Sequence, residues 1–444
     1  MNTIKRTLLT LLLLSSTAHS FISAMDGHDS KAKEMSNKDI IRGIKDFPYE
    51  LKLHIISLVI QNTLYRPYLF KELPGKGQLH SLVFSPQGET ILIACHTGLT
   101  LWSSITGELI SAREKQTHEV YWGAFSPQGR MILNEPEDKT AFLWDAYSGT
   151  SLLRPPKGAP ACAISVAFNP NGETVLTGSR NTIACLWDLK TGKIIKSFKK
   201  HTLDVLSVAF SPTGETVLTG SQDRTACLWN STTGDLLKIF EGHTGSIRSV
   251  AFSHDGETIL TGSDDTTACI WYSKTGKLIR TFTGHTKNIN SVAFSPDGQT
   301  ILTGSDDKTA CLWNSKTGEL ITTLIGHPGS IRSAAFSPDG QTIVTGSWGE
   351  ITDAGSWVKT ACLWNSKTGE LLTTLIGPSK PISSVAFSPD GNILATGASS
   401  NGTTHLWKSL AGFENLTQEE KERCFKLFMN YYPLLQRIED TSKD

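Results

Sequence analysis

Short apolar runs alternate with polar turns along most of the chain, and the alternation repeats. One unit shows it. Ser291-Val292-Ala293-Phe294 is a β-favouring run, Ser295 to Gly298 a turn, and Thr300 to Ser305 a second run. Asp306-Asp307-Lys308 turns again, Thr309 to Asn314 is a third run, Ser315 to Gly318 another turn, and Glu319 to Leu324 a fourth run. The pattern predicts four short strands joined by tight turns, an antiparallel meander. Pro at the second and Gly at the fourth position of turns such as Ser295-Pro296-Asp297-Gly298 suit that geometry. Trp102, Trp144, Trp187, Trp229, Trp271, Trp313, Trp364 and Trp407 mark the units, spaced 42, 43, 42, 42, 42, 51 and 43 apart, and a Phe leads each unit from Phe84 to Phe387. A fixed period of this length is the mark of a repeat architecture. A lone meander has two faces to cover, and stacking such sheets around an axis covers both.

Three further residues recur in phase: Gly-His (Gly242-His243, Gly284-His285, Gly326-His327, with Lys200-His201 as a variant), a turn Asp, and Leu-Trp-Asp or Leu-Trp-Asn. This pattern resembles the tryptophan–aspartate (WD) repeat β-propeller family over about residues 68–408. It departs from that family in keeping Trp-Asp itself only at Trp144-Asp145 and Trp187-Asp188. The resemblance implies a buried hydrogen-bonded network of His, Ser or Thr, Asp and Trp. Three units match it: His201, Asp223 and Trp229; His243, Asp265 and Trp271; His285, Asp307 and Trp313, with Thr219, Thr261 and Thr303 as the hydroxyl members. A buried Trp N–H needs an acceptor, which gives the network a structural reason. One His per unit holds these groups apart, so the same residues are not read as catalytic or metal-binding. Eight Phe turns, eight Trp positions and a strand-like segment at 68–73 that can close the last sheet predict an all-β, eight-bladed WD-repeat propeller, with seven blades as the alternative. Short helical flanks are expected at both ends.

The resemblance also implies that the face carrying the turn Asp and the His loops binds peptides or proteins. The residue four before each Phe is expected to line its mouth: His80, Tyr121, Ile164, Leu206, Arg248, Asn290, Arg332 and Ser383. An apolar arc at 121, 164 and 206 followed by an arc with two Arg suits an acidic and apolar peptide. The 51-residue gap places nine extra residues in the seventh unit. They are bracketed by Gly346-Ser347-Trp348 and Gly355-Ser356-Trp357, as in a tandem duplication, and they displace the turn Asp expected opposite His327. Trp348 and Trp357 near Arg332 make a candidate hot spot, since Trp and Arg dominate such sites.

The flanks carry other signals. Residues 1–24, with Lys5-Arg6, an apolar run from Leu8 to Leu14 and small residues after it, read as a secretory signal. This implies an exported, periplasmic or extracellular protein, with delivery to a host cell as a further expectation and no membrane association after cleavage. Residues 25–67 are helical in character. Within them Phe47-Pro48-Tyr49-Glu50-Leu51, with Ile55 and Leu58, resembles the opening of an F-box, which docks on a ubiquitin-ligase adaptor. A helical brace on the propeller is the other reading of that segment. Residues 409–444 open a helix at Thr417 to Glu420, a capping box. Lys plus Arg equals Asp plus Glu at 42 each, so no global field favours nucleic acid. Five of the eight Cys sit two residues before a Trp, on the same strand face, and are expected as buried thiols. No nucleophile elbow, zinc-peptidase helix or phosphate loop occurs. No catalytic residue, metal or cofactor is expected. The leading reading is a non-catalytic interaction scaffold; an exported F-box-like recruiting subunit of a host ubiquitin ligase is the alternative, and a propeller enzyme the least favoured.

Overall fold

The computed structural model describes residues 68–74, 78–95, 98–114, 120–129, 131–136, 142–145, 151–153, 163–191, 193–349, 361–375, 382–398 and 403–408. All of these lie in the compact unit Tyr68–Ser409. The signal, the F-box-like residues Phe47, Pro48, Glu50, Leu51, Ile55 and Leu58, the C-terminal helix and Trp357 lie outside the described residues.

Among the described residues every helix or strand element is a β-strand, and the strands form eight four-stranded antiparallel sheets. Sheets 1 to 7 are meanders within residues 79–114, 120–153, 163–199, 205–240, 247–282, 289–324 and 330–375. Sheet 8 takes three strands from 382–408 and its outer strand, Tyr68–Leu73, from the other end of the unit. In sheet 6 the strands are Ile289–Phe294, Thr300–Ser305, Ala310–Asn314 and Leu320–Leu324. The first begins two residues before the run legible in the sequence, because a β-bulge at Asn290 breaks the alternation there.

The turns are closed from within. Ser295 Oγ accepts the Thr300 N–H at 2.9 Å and donates to Asp297 Oδ1 at 2.6 Å, while Gly298 takes a φ of +69°. The turn between the second and third strands is different. Thr182, Arg224, Thr266 and Lys308 sit there at φ of 71° to 73°. This is a three-residue hairpin loop ending in a left-handed residue, a place that favours Gly. For β-branched Thr266 the strain costs about 1–3 kcal/mol, against which Gly adds about 0.5–1 kcal/mol of unfolded-chain entropy. Thr266→Gly is therefore expected to stabilise the protein by about 1 kcal/mol. The measurement is the denaturant midpoint at unchanged slope; a lower midpoint contradicts the expectation.

Apolar faces of successive sheets form the core. Leu218, Ala226, Leu228 and Phe240 of sheet 4 pack on Ile247, Val250, Ile259, Cys269 and Trp271 of sheet 5, all buried. The same arrangement recurs from sheet 3 through sheet 8, so Trp229, Trp271, Trp313, Trp364 and Trp407 each sit in the seam with the preceding sheet. Leu73, Ile393, Ala395 and Leu406 of sheet 8 pack in turn on Leu79, Leu82, Ile91, Ile93 and Trp102 of sheet 1. The Gly of the Thr-Gly-Ser runs, and of Thr396-Gly397-Ala398 in sheet 8, makes this approach possible. A Cβ on Gly262 would stand 2.5 Å from Val292 Cγ1, and one on Gly397 would stand 2.6 Å from Leu82 Cδ2 across the seam between sheets 8 and 1. The first strands also pack on one another in succession, and that of sheet 8 packs on that of sheet 1. Their Ser side chains stitch them: Ser165, Ser207 and Ser249 Oγ accept the N–H of Val208, Val250 and Val292 at 3.1, 3.2 and 3.3 Å.

The six described Cys are buried. Burial pushes the Cys227 thiol up to about 12 and the Cys311 thiol up to about 11. Both are protonated at neutral pH and are poor nucleophiles.

Candidate functional site

Two sets of residues stand at the His-loop end of the sheets. The first is the repeated network. His201 Nδ1 lies 2.9 Å from Asp223 Oδ2 and its Nε2 lies 2.8 Å from Thr219 Oγ1, which accepts the Trp229 Nε1–H at 3.1 Å. His243, Asp265, Thr261 and Trp271 repeat this at 2.8, 2.8 and 2.9 Å. His285, Asp307, Thr303 and Trp313 repeat it at 2.8, 2.7 and 2.9 Å. The backbone N–H of Thr202, Thr244 and Thr286 donates to the same carboxylates, so each Asp ties the incoming His loop to the strand turn.

The Thr hydroxyl lets the network adapt to either state of the imidazole. With a neutral ring protonated at Nδ1, Thr donates to Nε2. With a charged ring, Nε2–H donates to Thr, and the Thr hydrogen turns to the Cys269 carbonyl at 3.4 Å in sheet 5. Burial is the largest single influence on His243 and would depress its pKa, but the hydrogen bonds and charges of Asp265 and Cys269 together outweigh it and raise it to about 9. Burial likewise works against the carboxylates. Several bonds together overcome it: those from His201, Thr225 and the Thr202 N–H to Asp223, from His243, Thr267 and the Thr244 N–H to Asp265, and from Thr309, the Thr286 N–H and His285 to Asp307, with the imidazole charge added. They hold Asp223 and Asp265 well below the usual range and lower Asp307. His327 keeps the Thr345 and Trp364 part of the arrangement. Burial pushes its imidazole down to about 4, opposite to His243. Every polar group of the three full copies is spent on its neighbours, which leaves no poised acid, base or nucleophile.

The second set is the ring expected at the mouth. The structure gives these positions a common cause that the sequence does not display. His80, Ile164, Leu206, Arg248, Asn290, Arg332 and Ser383 are each the extra residue of a β-bulge in the first strand of their sheet, and Tyr121 falls with Trp122 in the corresponding irregularity of sheet 2. A bulge frees one residue from the ladder and re-aims its side chain. Since the first strands are those that pack together, the bulges lie where the sheets converge.

Sequence reasoning missed the partners of this ring. Arg248 Nε and Nη2 donate to both oxygens of Asp264, at 2.7 and 3.0 Å. Asn290 Nδ2 donates to Asp306 Oδ1 at 2.7 Å and to the Ile331 carbonyl at 3.0 Å. Arg332 Nη1 lies 3.4 Å from Asn290 Oδ1, and its Nη2 lies 3.7 Å from Asp306 Oδ1. The two Arg are thus not a bare cationic patch. Asp264 and Asp306 stand seven residues before their Trp, and comparison of that column across units was the available signal. Trp348 ends the second strand of sheet 7 and is exposed; Trp357 is outside the described residues.

Stacked meanders, a Trp in six of the seams among the described residues and a repeated His–Thr–Trp link to a turn Asp define a WD-repeat β-propeller. The profile of the WD domain, G-beta repeat family matches residues 156–188, 192–230, 234–272, 276–314, 318–351 and 369–408, just over half of the chain, and the chain belongs to that family. Among solved structures it is similar to the crystal structure of the computationally designed Ika8 protein. The two are 25% identical with a TM-score of 0.66, over 76% of this chain and 98% of that one. No curated protein matches the chain significantly.

Proposed function

We propose that the chain is a non-catalytic scaffold, an eight-bladed ring that captures a protein or peptide at the mouth lined by the bulged residues. WD-repeat proteins commonly bind proteins or peptides, and this supports the class. The observation that carries the location is the bulge itself. The frame is the same in each blade, yet the residue it releases changes from His80 to Ile164, Leu206, Arg248, Asn290, Arg332 and Ser383. A repeating frame with a non-repeating display suits recognition of one irregular surface.

The test places a photo-crosslinking residue at Leu206 or at Leu237, an exposed outer-strand position, in the full chain. Partner capture through position 206 and not 237 is expected. Capture through 237 alone would move the binding surface to the outer edge. A second reading rests on the segment from Phe47 to Leu58: exported with its ring, the chain would recruit substrates to a ubiquitin-ligase adaptor. Co-purification with that adaptor, lost in Pro48→Asp plus Leu51→Ala, is its expected result.

A further inference from the structure

One column of the repeat changes chemistry in blade 7. The rim end of the second strand carries Asp264 in blade 5, whose N–H donates to Ser246 O, and Asp306 in blade 6, whose N–H donates to Asn288 O. The equivalent residue in blade 7, opposite Ser330, is Trp348. In blades 5 and 6 this Asp accepts a 2.7 Å hydrogen bond from the bulged residue of its own blade. In blade 7 the bulged residue is again an Arg, but its own-blade carboxylate has become an indole.

Arg332 therefore reaches back across the seam, and what it finds there is poor. The 3.4 Å separation from Asn290 Oδ1 is beyond the ordinary range for an N–H to oxygen bond. Asp306 Oδ1, at 3.7 Å, makes a longer ion pair than the 2.7 Å one of Arg248, and the same oxygen also accepts from Asn290. The guanidinium carries five N–H donors, and its side chain is 43% exposed. Arg248, equally exposed, has a bidentate carboxylate. Exposure thus does not separate the two Arg; pairing does. Asn290 also prepares the site. Both its donor bonds are used, on Asp306 and Ile331 O, which turns its oxygen toward Arg332 and steadies the guanidinium.

We propose that Arg332 is completed in trans. A carboxylate from a partner peptide takes the place beside Arg332 that Asp264 takes beside Arg248, and the apolar side chain next to that carboxylate lies on the exposed face of Trp348. The fork of Arg matches a carboxylate in two parallel bonds, and Arg beside Trp is the composition of interface hot spots. The partner is thus a peptide with an acidic group adjacent to an aromatic or large aliphatic residue. The carboxylate can come from an Asp or Glu side chain or from a chain terminus. This inference rests on the reading of the mouth as the binding face.

The test uses the full chain and an array of nine-residue peptides in a Gly-Ser background. Capped peptides carry a central Asp-Phe, Asn-Phe, Lys-Phe or Asp-Ser; a second series ends in Phe with a free or an amidated terminus. The expected result is retention on capped Asp-Phe or on the free terminal Phe, with roughly tenfold weaker retention on the matched Asn-Phe or amidated peptide, the size of one lost charge-assisted pair. Which series is retained identifies the source of the carboxylate. Arg332→Gln is expected to erase the difference. Trp348→Asp, which recreates the blade 5 arrangement in cis, is expected to block retention, whereas Trp348→Phe keeps it; thermal melts check that each variant is folded. No retention above the Lys-Phe peptide in either series, equal retention of Asp-Phe and Asn-Phe together with equal retention of the free and amidated terminal Phe, or full retention by folded Trp348→Asp overturns the proposal. If partner capture through position 206 persists in that case, the carboxylate fails and the binding face stands. If that capture fails too, both fall.

Discussion

Leu73→Asp is expected to open the ring at the seam where its two ends meet. Leu73 ends the strand Tyr68–Leu73 and is fully buried among Leu79, Leu82, Ile393 and Leu406. Its strand is the outer edge of sheet 8, paired with Thr404–Lys408 through Leu69↔Trp407, Glu72↔His405 and Leu73↔Thr404. Burying the Leu side chain is worth about 1.5–3 kcal/mol, and an unpaired carboxylate in its place costs several more. The cheaper outcome is for the whole strand to undock, which caps the loss near the free energy of docking it. The edge of Thr404–Lys408 and the apolar cluster shared with sheet 1 are then exposed, a template for association with other chains. The expected result is a fall of about 4 kcal/mol or more in unfolding free energy, fast hydrogen exchange at those amides of Thr404–Lys408 that face the strand Tyr68–Leu73, and concentration-dependent association. Leu73→Val should lose only about 1 kcal/mol. A Leu73→Asp midpoint within error of the Leu73→Val midpoint would remove the closing role from this strand.

Closure of the sheet by residues 68–73 could be read from the sequence because Tyr68 to Leu73 resembles the fourth run of a unit, such as Leu278 to Phe282. The seam network could be read for another reason. Its His, Thr, Asp and Trp keep fixed offsets, so three copies identify one another. The bulges could not. The residue released at the bulge is free to be Leu206, Arg248 or Ser383 because its side chain carries no packing duty, and so it leaves no signature. The mouth positions were inferred by offset from Phe, and the mechanism that turns them outward came only from the strand register. The left-handed positions were equally silent, since Arg224, Thr266 and Lys308 stand where a turn would ordinarily announce itself with Gly. The ring's electrostatics were misjudged because Arg248 and Arg332 were weighed without the column that faces them. Asp264 and Asp306 looked like parts of a turn, and only distance shows one of them clamping Arg248 and the other leaving Arg332 half-served.

Thr261→Val should cost about 3 kcal/mol although it preserves shape. Thr261 is fully buried, and its hydroxyl is the acceptor for Trp271 Nε1–H and the partner of His243 Nε2. Valine leaves both buried groups without a bond, each at about 1–3 kcal/mol. Thr261→Ser keeps the hydroxyl and loses one methyl, about 1 kcal/mol, so the pair of variants separates hydrogen bonding from volume. If Val and Ser are equally tolerated, the Thr hydroxyl is not the centre of the network. The pH dependence follows from the same groups. The Asp223, Asp265 and Asp307 carboxyls titrate lower in the folded chain than in the unfolded one. Their contribution is present above the ordinary carboxyl pKa of about 4 and is lost as pH falls through the folded values. His243, raised to about 9, acts in the other direction: its contribution is complete below the ordinary value of about 6.5 and is lost as pH climbs through about 9. Stability should therefore peak between roughly pH 5 and 7 and fall on both sides. Asp265→Asn should lower the plateau and flatten both limbs, because it removes one of the three carboxylates and one of the two groups that raise His243, the other being Cys269. A melting temperature that stays constant from pH 6 to pH 3 would show that these carboxylates do not hold the His loops to the strand turns.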